Sequence, residues 1–332
     1  ERIPADGGRQ VLLITNHVSE HYDAMYIGHM DTVFPDGTAE KRPFRIEGEN
    51  YYGPGVGDMK NGDLAMFHIA ANLPETEKKC LNIAMVYNPD EEIGSIYSKE
   101  ITDRIGCQAD HIFVMESAGK NGTRHCFARK GSLTYDIEFQ GQAAHAGFMF
   151  EVENASAVLE MGHYIVELMS LADREKDTTV NVGIANGGIA RNVVADHAKI
   201  SVEMRFRDDS ERIRLKEYVN KITEGQPFVP GVKTTITMQK ETPPFIKTEE
   251  AKKYIERVRK IAEEHGIPFE EKDRGGLSDA NHLSRCGKAI VMDGMGPHGA
   301  NDHSEKEYGY IGSVEPCVKL HLAILNDMLN KQ

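Results

Sequence analysis

The chain has 332 residues, enough for one large domain or two ordinary ones with well-buried cores. Its 40% hydrophobic and 27% charged residues are those of an ordinary globular protein, and no apolar run reaches the roughly 18 residues that a membrane span needs. The net charge of −13, spread along the chain, argues against nucleic acid and anionic membrane surfaces as partners.

In chain order, AMYIGHM (24–30) is an apolar run of strand length, and MKNGDLAMFHIAANL (59–73) is apolar at helical spacing. LNIAMVYN (81–88) and HIFVMES (111–117) are further buried strands, with helical IGSIYSKEITDRI (93–105) between them. Continuous apolar strands alternating with helices predict an α/β domain with a mostly parallel sheet covered on both faces. From about Gly131 the texture changes. SLTYDIEFQG (132–141) alternates apolar and polar residues, as a strand with one solvated face does. A helix over about 153–171, strands at 178–188 and 198–207, a helix from Ser210 and a strand at 232–240 follow. That order, β-α-β-β-α-β, is ferredoxin-like. ETPPF (241–245) reads as a linker, and 248–266 as an amphipathic helix capped by Thr248 and Gly266. A strand at 289–295 and a helix from Ser313 resume the α/β pattern. The pattern predicts one discontinuous domain, 1–130 with 243–332, interrupted by an inserted α+β domain, 131–242.

In parallel sheets, ligands bind beyond the carboxyl ends of the strands. GHMDTVFP (28–35), GPGVGDMKNG (53–62), NPDEEIGS (88–95), MESAG (115–119) and NDHSEKEY (301–308) all fall at such ends or in nearby loops. They offer His29, Asp31, Asp58, Glu91, Glu92, Glu116 and His303. Imidazole and carboxylate without thiolate suit zinc, cobalt or manganese rather than an iron–sulfur cluster or a structural cysteine site. Each stretch alone has an ordinary reading: an Asp-capped loop, a tight glycine turn, an acidic helix N-terminus. His303 also competes with its neighbour His298. GPGVG is not followed by the GK[ST] of a phosphate loop, which argues against a nucleotide-binding enzyme. The ordinary readings do not explain the ordered occurrence of all these stretches at one edge of one sheet.

Cys80, Cys107, Cys126, Cys286 and Cys317 form an odd set without a CxxC pair. They read as reduced, buried thiols of a cytoplasmic protein. Glu1 in place of a starting Met leaves a preceding segment open.

GHMDTV, GPGVGDMKNG, DEEIGS, the glutamate of FVMES, GQAAHAG, GGLSDA and DHSE together resemble, over essentially the whole chain, the M20 metallopeptidases. That family includes glutamate carboxypeptidases, acetylornithine and succinyl-diaminopimelate deacylases, and aminoacylases; GHMDTVFP, HAG and HSEKEY are in the carboxypeptidase style. The resemblance implies a catalytic domain of the zinc-peptidase kind holding two zinc ions per chain, with cobalt or manganese as alternatives. Asp58 is implied to bridge them, His29 and Glu116 to complete one site, and Glu92 and His303 the other. Asp31 is implied to accept from the His29 ring, the Asp58–Met59 peptide to be cis, and Glu91 to act as general base. His145 and Asn192 of the inserted domain are implied oxyanion donors, His145 reaching across a homodimer built through that domain. Arg205, with Arg207 as competitor, and the backbone of Gly275 and Gly276 are implied to hold a substrate carboxylate. The expected reaction is cleavage of an amide beside a free carboxylate in a small peptide or an N-acyl amino acid. A carboxypeptidase or dipeptidase is expected first, a deacylase second and a non-catalytic binding member last, since Glu91 and every metal-ligand candidate are present. One departure bears on the side-chain preference: Lys240, the basic residue near the end of the last inserted strand, is followed by acidic Glu241.

Overall fold

The computed structural model describes residues 1–330. Strands β1 (Arg2–Pro4), β2 (Gln10–Thr15) and β3 (Tyr22–His29) lead to helix α1 (Asn61–Asn72). Strand β4 (Ile83–Asn88), helix α2 (Lys99–Gly106) and strand β5 (Ala109–Val114) follow. Next come β6 (Gly131–Gln140), α3 (Ala157–Met169), β7 (Thr179–Gly187), β8 (His197–Phe206), α4 (Asp209–Glu224) and β9 (Lys233–Thr242). Helix α5 (Glu249–Glu264), the short α6 (Ala280–Leu283), β10 (Ile290–Met292) and α7 (Val314–Leu329) complete the chain. It divides into two compact units, Glu1–Arg129 with Phe245 onward, and Lys130–Pro244.

The first unit is built on a six-stranded sheet in the order β1-β2-β4-β3-β5-β10. Strands β4, β3, β5 and β10 are parallel, while β1 and β2 add an antiparallel edge. Successive residues of β3 point into two different cores. Ala24 and Tyr26 join residues of α1, α5 and α7, such as Met66, Val258 and Ile324. Met25 and Ile27 join Ile105 of α2 and Leu283 of α6. This two-faced burial is why the strand reads as an unbroken apolar run, and large side chains such as Met25 and Ile27 each contribute roughly 1.5–3 kcal/mol on burial. A second sheet of short segments, 45–47, 50–52, 308–310, 296–300 and 117–118, lies in the same unit.

Some expectations shift. The helix expected over 93–105 begins only at Lys99. Before it the chain makes one tight turn at Glu91–Ile93, and Gly94 and Ser95 adopt left-handed φ angles of 90° and 54°, which an α-helix cannot contain. The helix expected over 153–171 starts at Ala157, where the Ser156 hydroxyl accepts the Leu159 amide at 3.2 Å. The cysteines are not all buried: Cys80 and Cys107 are exposed because they stand at helix C-terminal ends, and Cys317 is half-buried.

The second unit is a four-stranded antiparallel sheet, β7-β8-β6-β9, with α3 and α4 packed on one face. Leu133, Tyr135, Ile137 and Phe139 of β6 meet Ile200, Val202 and Met204 of β8 beneath Tyr164 and Leu168 of α3 and Leu215 and Val219 of α4. The intervening residues of β6 and β8 face away from the helices, which produces the alternation in the sequence. The element order is the ferredoxin-like one.

Candidate metal centre

Parallel pairing of β3 with β4 and β5 brings three strand ends to one edge of the sheet. His29 is the last residue of β3 and is buried. Asn88 ends β4, so the turn carrying Glu91 and Glu92 lies just beyond it, and Glu116 follows β5 by two residues. Asp58 comes from the loop before α1, and its peptide to Met59 is cis. That loop needs its glycines. Gly55 has φ 71°, and a Cβ there would meet the Thr32 and Lys60 side chains within 2.5 Å, while one on Gly57 would stand 3.2 Å from the Gly299 backbone.

These side chains converge. His29 Nε2 is 3.0 Å from Asp58 Oδ1 and 3.6 Å from Glu116 Oε1. The other Asp58 oxygen, Oδ2, is 3.0 Å from His303 Nε2, which is 3.2 Å from Glu92 Oε2. His29, Asp58 and Glu116 form one group, and Asp58, Glu92 and His303 another, with the donor atoms of each group within 4.8 Å of one another. His298, the competitor, is buried elsewhere, with its Nδ1 paired to the Ala118 carbonyl at 3.0 Å.

The ring of His29 is oriented by Asp31. Its Nδ1–H donates to the Asp31 carbonyl at 3.1 Å, with the Asp31 carboxylate 3.4 Å away. The nitrogen facing Asp58 and Glu116 is therefore Nε2. The Asp31 carboxylate also accepts the backbone amides of Glu91 and Glu92 at 3.1 and 3.0 Å. One residue thus sets both the imidazole and the turn with the paired glutamates.

Charge in the cluster is unbalanced toward the negative. Burial and then Asp58 push Glu92 up to about 7. Burial, followed by Glu116 and Asp279, holds Glu91 well above the carboxylate range, and burial with Asp58 raises Glu116. Burial alone would lower the His29 value, but Asp31, Asp58 and Glu116 more than reverse it. Carboxylates that raise one another in a half-buried cleft, with two imidazoles and no thiolate among them, form a donor set suited to divalent zinc, cobalt or manganese. The residues fit a metal site.

Behind these groups lie residues that sequence reasoning missed. Glu307 is buried, and its carboxylate accepts the amides of Gly55, Gly57 and Asp58 at 2.9, 2.8 and 3.0 Å. Its only sequence signal was an acid set between the polar DHSEK and the aromatic YGY. Asp279 accepts from Asn88 at 2.7 Å and from Ser95 at 2.5 Å, gripping both ends of the turn that carries Glu91 and Glu92.

The family of the chain can be read against this geometry. The model of Peptidase family M20/M25/M40 matches residues 25–327. The chain belongs to this family. Carboxypeptidase G2 of Pseudomonas sp. (strain RS-16) is 25% identical over 331 residues, covering 98% of this chain and 76% of that protein. A putative succinyl-diaminopimelate desuccinylase of Mycobacterium tuberculosis is 28% identical over 212 residues, 60% of this chain and 56% of its own length. A tripeptidase from Staphylococcus aureus has the same fold, with a TM-score of 0.79 at 21% identity over 97% of this chain and 85% of that one. This M20 member is a hydrolase of a metal-dependent family, and none of its described helices is long and apolar enough to cross a membrane.

The remaining expected residues fall in separate places. Gly275 and Gly276 belong to the first unit. Arg129, buried and paired with Asp293, donates Nη1–H to the carbonyls of Gly276 and Leu277 at 3.3 and 3.1 Å, anchoring that loop. His145 and Asn192 belong to the second unit and lie together, since His145 pairs with Val193 across two short strands and Asn192 accepts the Ala146 amide. His145 Nδ1 accepts the Gly147 amide at 3.1 Å, which leaves Nε2 as the N–H donor. Arg205 contacts Glu203 through Nε at 2.9 Å, and Arg207 contacts Asp177 at 2.8 Å. Glu241, the acid that follows Lys240, is engaged by Arg212 and Lys216 at 2.6 Å each.

Proposed function

We propose that this protein is a dinuclear, zinc-type hydrolase that cleaves an amide bond next to a free carboxylate, as an exopeptidase or dipeptidase of the glutamate-carboxypeptidase kind. The observation that carries the reading is the placement of Asp58: each of its two oxygens is 3.0 Å from a different histidine, and each histidine has its own glutamate beside it. Two divalent ions, when bound, supply Lewis acidity toward water and toward an amide carbonyl. His29, Asp58 and Glu116 would hold one, and Asp58, Glu92 and His303 the other, while the Asp31 carbonyl fixes the His29 tautomer.

Glu91 is the general base. Its carboxyl is held above its ordinary range by burial and by Glu116 and Asp279, which strengthens it as the acceptor that takes a proton and returns it to the leaving nitrogen. Its amide, like that of Glu92, is fixed by Asp31, which keeps the two neighbouring carboxylates in separate roles. Nε2–H of His145 and the side chain of Asn192 are oxyanion donors. Arg205 and the Gly275–Gly276 backbone receive the substrate carboxylate, Arg205 exchanging Glu203 for it.

The roles divide between residues 1–130 with 243–332, as the catalytic part, and 131–242, as a lid through which two chains pair. The pairing is supported by α3, where Val158, Leu159, Val166 and Met169 stay exposed, and by β7, an uncovered edge strand in that unit. An N-acyl-amino-acid deacylase is the second reading. The desuccinylase relative favours it, whereas the pairing of Glu241 with Arg212 and Lys216 leaves Lys240 as the basic residue at that strand end and favours the glutamate-selective reading. A screen of dipeptides, folate-type glutamates and N-acyl amino acids against zinc- and cobalt-loaded protein tests both. Turnover of none, or full turnover after complete metal removal, would sink the proposal.

A further inference from the structure

Two cysteines outside the proposed reaction lie together where α2 meets α6. Cys107 follows the last residue of α2 and is exposed, and Cys286 lies just past α6 and is buried. A shared acceptor marks their proximity: the Asp103 carbonyl takes the Cys107 amide at 2.8 Å and the Cys286 thiol at 3.3 Å. The chain just before Cys107 is equally near, since a Cβ on Gly106 would stand 3.4 Å from Cys286 Sγ. Burial, and then contact with the Cys107 side chain, push the Cys286 thiol up. Cys107 is thus the accessible, attacking sulfur, and Cys286 the buried, resolving one.

The pair also touches a polar chain that ends at the glutamates. Asp103 Oδ1 accepts from His282 Nδ1 at 2.5 Å, and His282 Nε2 is 3.0 Å from Asp279 Oδ1. Asp279 in turn accepts from Asn88 and Ser95, which bracket Glu91 and Glu92.

We propose that Cys107 and Cys286 are a modification site that forms a reversible intramolecular disulfide, stapling α2 to the segment after α6 and clamping the Asp103–His282–Asp279 chain behind the glutamate turn. The oxidant is a small-molecule disulfide such as oxidised glutathione. The Cys107 thiolate attacks one of its sulfurs, the S–S bond breaks, and one glutathione leaves and takes up a proton. Cys286 then gives its proton to solvent as its sulfur attacks Cys107, and the second glutathione leaves as a thiol. Two protein thiols are oxidised to one disulfide, and one small disulfide is reduced to two thiols. The site does not depend on which amide the protein cleaves.

The test therefore reads no turnover. Full-length protein is incubated with oxidised glutathione, its free thiols are blocked, and the digest is mapped without reduction. The expected product has lost two hydrogens and contains a Cys107–Cys286 cross-linked peptide, which dithiothreitol removes. Cys107→Ser, at an exposed position, abolishes the cross-link, and Cys80→Ser keeps it. Amide hydrogen exchange over residues 88–95 slows in the oxidised protein and recovers on reduction. A stable glutathione adduct on Cys107 without the cross-link, or a cross-link to another cysteine, would overturn the site. Unchanged exchange over 88–95 would overturn its link to the glutamate turn.

Discussion

Glu307 holds Asp58 by the backbone, its Oε1 accepting the Asp58 amide at 3.0 Å. The same carboxylate takes the amides of Gly55 and Gly57, so one buried acid fixes the loop that presents the Asp58 side chain to both histidines. Glu307→Gln places an amide N–H against donors that need acceptors, and each buried donor left unpaired costs about 1–3 kcal/mol. Loss of such a supporting partner weakens metal binding by about 10- to 100-fold. Chelator competition on the purified variant measures this, and an affinity within about twofold of wild type would show that Glu307 does not position Asp58.

Glu91 and Glu92 provide a paired test, because adjacent residues with different surroundings should fail differently. Glu92 Oε2 is 3.2 Å from His303, in the group that shares Asp58. Glu91 is instead surrounded by the charges of Glu116, Asp279, His29 and Asp58. Glu91→Gln is expected to keep the full metal content and lose about 100- to 10,000-fold in turnover, whereas Glu92→Ala loses metal. Metal analysis beside steady-state kinetics separates the two outcomes. The reverse pattern would mean that the two residues exchange roles.

Much of the cluster was legible because parallel strands are buried on both faces. The apolar runs ending at His29 and Asn88 mark the sheet edge, and polar residues just past such runs have few structural reasons to be there. Glu307 was not legible, since its partners at 55, 57 and 58 are about 250 positions away and all are backbone amides, which carry no residue-specific signal. The double duty of Asp31 was hidden for the same reason. The resemblance implied that Asp31 accepts from the His29 ring, and nothing in the sequence marks that its carboxylate reaches the amides of a turn 60 residues on. The helix expected at 93–105 lacks its first six residues, where Gly94 and Ser95 are left-handed and Asp279 and Asn88 bond the Ser95 hydroxyl, Asp279 from a distant element. The short sheet at 45–52, 117–118, 296–300 and 308–310 has segments of two to five residues, too short to show a period.

Three buried histidines contribute to stability with opposite pH dependence. His321 and His125 are fully enclosed and held down to about 4 by burial, His321 donating Nε2–H to the Met295 carbonyl at 2.9 Å. Their unfolded value is near 6.5, so the unfolded chain binds more protons between about 6.5 and 4, and stability is lost as pH falls through that range. Each group contributes up to about 1.4 kcal/mol per pH unit there. His282 has the opposite sign. Burial would lower it, but Asp103 and Asp279 raise it to about 9, so its contribution is complete below about 6.5 and fades as pH climbs to 9. Urea unfolding of metal-free protein between pH 4 and pH 9 checks the curve, and a His282→Gln variant should have a shallower alkaline slope than wild type. The raised carboxyl of Glu92 gains stability as pH falls through the same range, so the histidine contribution is read by difference, and a His321→Asn variant that loses stability from pH 6.5 to pH 4.5 as steeply as wild type would contradict the buried neutral state of His321.

The proposed dimer makes a prediction that no single-chain arrangement shares. His145 sits in the second unit on a short strand pair, its Nδ1 accepting the Gly147 amide so that Nε2 carries the N–H, while Asp58 sits in the first unit. If His145 serves the site of its partner, His145→Ala and Asp58→Asn proteins are each inactive but complementary. In a mixed dimer one site then has an intact Asp58 from one chain and an intact His145 from the other, and its second site has neither. Equal mixing with free exchange makes half of the dimers mixed, so about a quarter of the sites regain function. Activity should rise from baseline to about that fraction of wild type after co-refolding, and Val166→Asp, which puts a charge on the exposed apolar face of α3, should prevent the rise and yield monomers by light scattering. No recovery from dimers shown to exchange subunits would place His145 in the site of its own chain.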